Sequence, residues 1–136
     1  MNRPIVAVLD TMWGDRAGRA PRHFKINPYN HSGKRLYRLV GERNAHRLLV
    51  TNACRELVVN ANQHGKPDPE WLADNLRRLN PALILVCGSI AQRTFERSGF
   101  IHERHPYGVL YIHHPAARCW TKKLLREVER EIQKAI

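Results

Sequence analysis

Apolar residues recur along the chain in two rhythms. Residues 5–9 (Ile-Val-Ala-Val-Leu), 47–53, 82–88 and 108–112 are short, nearly unbroken apolar runs. Such runs, bounded by polar or turn-forming residues, predict strands buried on both faces of a parallel sheet. Between them the spacing changes to a helical period. Leu36, Leu39 and Val40 share one face, bracketed by Ser32 as a cap and Gly41 as a stop. Leu72, Leu76 and Leu79 share another, behind Asp68 as cap and Pro69 in the first turn. A short helix over 90–99 follows the strongest strand, with Ser89 as its cap. Leu124, Leu125, Val128, Ile132 and Ile136 stripe a last helix expected from about residue 116 to 136. Strands alternating with helices predict a three-layer α/β/α sandwich with a four-stranded, mainly parallel sheet.

Length fits this picture: 136 residues supply one core, so residues 1–136 are expected to form a single domain. No apolar run approaches the roughly 18 residues needed to span a bilayer. The first run is too short for a secretory signal and meets Asp10 at once, so the chain reads as cytoplasmic, without a membrane partner. Charge adds a partner. With 23 Lys plus Arg against 12 Asp plus Glu, the net charge of +11 points to a polyanion, nucleic acid first. The cysteines Cys54, Cys87 and Cys119 form no disulfide framework, and no C-x-x-C occurs. His102, His105, His113 and His114 lack a clear third ligand in a shared direction, so neither metal nor other cofactor is expected.

Candidate chemistry collects where strands end. In open parallel sheets, ligand sites form beyond the carboxyl ends of strands. Asp10 follows the first run, with Asp15 a few residues on; Asn52 closes the second; His113-His114-Pro115 follows the fourth. Each has a plainer alternative: Asp as a loop residue or helix cap, Asn as a turn former. The long basic loop 16–30 carries Phe24 and Tyr29, which could stack on a base or pin the loop to the core. His114 abuts the proline at the expected mouth of the last helix, where a helix end favours negative charge. G-x-S-x-G and phosphate-loop motifs are both missing.

In this order the pieces resemble the uracil-DNA glycosylase superfamily over nearly the whole chain. They are Leu9-Asp10-Thr11-Met12-Trp13, Pro28-Tyr29-Asn30-His31-Ser32-Gly33, Leu49-Val50-Thr51-Asn52 with Arg55, Leu85-Val86-Cys87-Gly88-Ser89-Ile90-Ala91, and His114-Pro115-Ala116-Ala117-Arg118. Family members usually carry Gly-x-x-Pro in the first loop; Leu9 and Met12 stand at those places here. Asp10 falls where some members have a catalytic Glu, and Thr11 where others have Asp or Asn. The resemblance implies cleavage of the N-glycosidic bond of uracil or another altered base in DNA, with base flipping. It makes Asp10 and His114 the catalytic pair, and Thr11, Tyr29 and Asn52 the base-binding set. Arg16, Arg19, Lys34, Arg35, Arg55 and Arg118 become the DNA-binding cations. A catalytically inactive nucleic-acid-binding module of the same fold is the alternative expectation.

Overall fold

The computed structural model describes residues 3–12, 18–59, 65–105 and 107–136. Among them the order is β1 (Ile5–Leu9), α1 (His31–Val40), a short 3-10 helix (Glu42–Arg47), β2 (Leu48–Asn52), α2 (Pro69–Leu79), β3 (Leu83–Cys87), α3 (Ser89–Ser98), β4 (Val109–Ile112) and α4 (Lys122–Ala135). The strands pair in the order β2-β1-β3-β4, all parallel. The apolar runs thus form the sheet, and its two central strands are buried throughout.

Strand alternation divides the core. Ile5, Ala7, Leu9, Leu83, Leu85 and Cys87 point to one face and pack with Leu36 and Leu39 of α1 and Leu125 and Ile132 of α4. Val6, Val8, Ile84 and Val86 point to the other, against Leu72 and Leu76 of α2 and Ala91 and Phe95 of α3. The result is the three-layer α/β/α sandwich. Each of these large side chains contributes about 1.5–3 kcal/mol on full burial, before chain entropy is subtracted. No helix among the described residues is long and apolar enough to cross a membrane.

Helix ends differ from the sequence expectation in ways that matter for the site. Asp68 caps α2 as expected, accepting from Trp71 N. Asn30, not Ser32, caps α1, its side chain accepting from Gly33 N at 2.7 Å. Gly88, not Ser89, is the residue before α3, with φ +88°. α4 begins at Lys122 behind a Thr121 cap, well after the expected residue 116. Residues 114–117 instead form a turn in which Ala117 N donates to His114 O at 2.9 Å. His114 therefore does not sit at a helix N-terminus, and α4 lends it no dipole.

Candidate active site

The register of the sheet brings the strand ends together. Leu9 of β1 lies beside Asn52 of β2. The pairing runs on past both strands, with Ala53 N donating to Leu9 O at 2.8 Å and Cys54 N to Asp10 O at 2.9 Å. Asp10 is thereby fixed next to Asn52. On the other side, Gly88 N donates to Ile112 O at 2.9 Å, extending the β3–β4 ladder. β3 separates β1 from β4, so residues from those two strands must meet over its end. Gly88 makes room: a Cβ there would press on the His114 Cβ at 3.3 Å, and its positive φ suits glycine.

The space so made is a cleft of about 490 Å³. Leu9, Asp10, Thr11, Met12 and Asn52 line one side; Phe24 and Ile26 come from the loop before α1; Asn30, His31 and Ser32 from the start of α1; His114 and Ala116 from the turn after β4. His114 Nε2 lies 3.8 Å from Asp10 Oδ1, too far for a direct hydrogen bond but suited to a shared water or substrate atom. Ala116 N donates to His114 Nδ1 at 3.0 Å. With Nδ1 accepting, a neutral ring carries its proton on Nε2, the nitrogen nearer Asp10. Thr11 N donates to Asp10 Oδ1 at 2.7 Å and helps hold the carboxylate.

Asn52 is 1% exposed, and neither its amide nitrogen nor its amide oxygen has a hydrogen-bond partner. A buried donor and acceptor left open in a cleft are costly without a ligand. Cys54 and Cys87 are buried free thiols. Burial, then the charge of Asp10, pushes the Cys54 thiol up to about 11, and the same two causes push Cys87 higher still.

The remaining sequence candidates scatter. Tyr29 is 82% exposed and does not line the cleft. Phe24 does, because its backbone pairs with Val50 through two 2.9 Å hydrogen bonds. Arg35 is half-buried and reaches the turn after β4. Its Nη1 donates to Pro115 O at 2.7 Å and to Ala117 O at 3.4 Å. Arg19, Lys34 and Arg118 are exposed, while half-buried Arg55 borders a separate cleft of about 510 Å³ with Lys66 and Arg97. That cleft mixes these cations with Glu56, Asp68 and Glu70, and among the described residues it holds no buried side chain left without a hydrogen-bond partner. Arg16, Asp15 and Trp13 lie outside the described residues. The described residues gather no group of three His, Cys, Asp or Glu suited to a metal. His102 is buried with both ring nitrogens engaged, Nε2 to Pro81 O and Nδ1 accepting from Arg104 N.

A family model described as the Uracil DNA glycosylase superfamily matches residues 14–135. No curated protein matches the chain.

Proposed function

From the premise that the chain belongs to the uracil-DNA glycosylase superfamily, we propose that it hydrolyses the N-glycosidic bond of uracil or another altered base in DNA. The observation that carries this reading is the buried Asn52 amide with both its donor and its acceptor open. An amide offers one donor face and one acceptor face, the pattern that a pyrimidine pairing edge complements. The glycosidic bond is hidden in a duplex, so the base enters the cleft flipped or from a single strand.

Phe24, rather than Tyr29, provides the aromatic surface against the base, with Thr11 beside it. As the C1′–N bond breaks, both electrons go to the base and the sugar becomes cationic. The Nε2 hydrogen of neutral His114 bonds the oxygen on which the base's negative charge gathers. The Asp10 carboxylate faces the sugar cation and takes a proton from the attacking water. Water's oxygen joins C1′, the proton taken by Asp10 returns through solvent to the departing base anion, and the products are free base and an abasic site. Arg19, Lys34, Arg55 and Arg118 hold phosphates. Arg16 is assigned with them from its sequence position, and Arg35 is kept for the turn after β4, to which its Nη1 donates.

The test is to incubate the protein with uracil-containing single- and double-stranded oligonucleotides and score alkali-labile abasic sites. Product is expected, and His114→Ala and Asp10→Ala should each lower its rate by roughly 10²–10³-fold. Tight binding with no product across a panel of altered bases would replace this reading with the inactive binding module. The divergent Leu9 and Met12 favour that second reading, as does a family match that begins beyond Asp10 and Thr11.

A further inference from the structure

We propose that Arg35 and Trp120 form a clamp that positions the imidazole of His114, acting on the backbone of its turn. The clamp rests on the proposed function only for its catalytic consequence. The turn 114–117 is not held by a helix, since α4 begins later, at Lys122. Its carbonyls are instead gripped from outside. Arg35 reaches across from α1 and donates to Pro115 O at 2.7 Å and to Ala117 O at 3.4 Å. Trp120 Nε1 donates to His114 O at 2.9 Å. The guanidinium carbon of Arg35 lies 5.6 Å from the centre of the Trp120 ring, so the two donors brace each other.

These contacts leave the turn little freedom. A charge-assisted bond is stronger than a neutral one, and here the single Nη1 reaches two carbonyls, closely at Pro115 O and more loosely at Ala117 O. With the carbonyls of residues 114, 115 and 117 occupied, Ala116 N is left facing His114 Nδ1, to which it donates at 3.0 Å. Gly88 closes the other side against the His114 Cβ. The chain of cause therefore runs from Arg35 and Trp120 through the turn to one ring nitrogen. The clamp presents Nε2–H to the cleft and keeps the ring from turning over. Neither residue lines the cleft, so both are positioning residues.

The direct readout is the histidine ring itself. Long-range ¹H–¹⁵N spectra of the full chain at high pH give the tautomer of neutral His114 from its two ring-nitrogen shifts. The unsubstituted protein is expected to show well-separated shifts with hydrogen on Nε2. Arg35→Ala should draw the two shifts together as both tautomers become populated. Trp120→Phe, which keeps a ring under Arg35 but loses the donor to His114 O, should do so less. Arg35→Lys, which keeps a charged donor but not the planar guanidinium over Trp120, should recover part of the separation. In oligonucleotide assays Arg35→Ala should lower kcat by roughly ten- to a hundredfold with KM little changed, the signature of a misplaced reacting group. Unchanged ring-nitrogen shifts in folded Arg35→Ala or Trp120→Phe protein overturn the clamp. If Arg35→Ala does not fold, Trp120→Phe and Arg35→Lys decide the matter alone. Absence of excision by the unsubstituted chain would sink the proposed function and leave the ring-nitrogen readout intact.

Discussion

Asn52 is kept in its place against its own desolvation. A buried amide with no partners costs about 1–3 kcal/mol, which a hydrophobic or small residue at that position would avoid. Asn52→Ala is therefore expected to raise the urea midpoint of the free protein, through a gain in unfolding free energy on the order of 1 kcal/mol, while abolishing base excision. A fall in midpoint would mean that the amide is satisfied and the base-reading role is unfounded. At this scale Asp10, Asn52 and His114 were legible in the sequence because each follows an apolar run, and parallel strands place their carboxyl ends together. The choice between Phe24 and Tyr29 was not legible. Both stand in one basic loop, and what separates them is the pairing of Phe24 with Val50, a contact that composition does not encode. The contact of Arg35 with the turn after β4 was not legible for a similar reason. Arg35 lies on the polar side of α1, and its use is set by a turn far along the chain.

Elements that deliver the site are fixed by close backbone approaches rather than by propensity. α1 enters the cleft wall through Asn30, His31 and Ser32, and Gly33 lets the preceding turn fold tightly onto it. A Cβ at Gly33 would stand 1.9 Å from Asn27 O, a backbone atom that cannot swing aside. Gly33→Ala should thus cost about 1–3 kcal/mol or more in equilibrium unfolding and pull Phe24 and Ile26 out of position. A variant with wild-type midpoint and activity would show that the turn can yield. Strand and helix identities followed from periodicity, since unbroken apolar runs and 3.6-residue stripes are strong signals. The start of α4 did not. Its apolar stripe begins at Leu124, and Pro115 invited an early helix start, but a turn held by side chains of other elements occupies residues 114–117.

For the molecule as a whole, charge and topology matter most. The net charge of +11 supports DNA binding in which affinity falls linearly with the logarithm of salt concentration. The slope should be about −0.7 to −0.9 per phosphate neutralised. Lys34→Ala and Arg118→Ala are expected to flatten it by roughly one phosphate each, measured by fluorescence anisotropy at several salt concentrations. Binding indifferent to salt would remove the role given to these cations. The layered α/β/α class was visible in the alternation of elements, whereas the order β2-β1-β3-β4 was not. An apolar run buried on both faces carries no mark of which neighbours it pairs with. That order also bears on how the protein reaches its native state. β1 is a central strand, and Ile5 finds its partners only in Leu48 and Leu83, both far downstream. Closing such long loops precedes any reward from pairing, so refolding should be slow for the chain's size, milliseconds to seconds. Pulse-labelled amide exchange should show β1 and β3 gaining protection together; protection of β1 well ahead of β3 would contradict this. The residues at the end of β1 therefore wait unpaired until Asn52 and its neighbours are made, and the cleft, which also needs His114, is among the last features to exist.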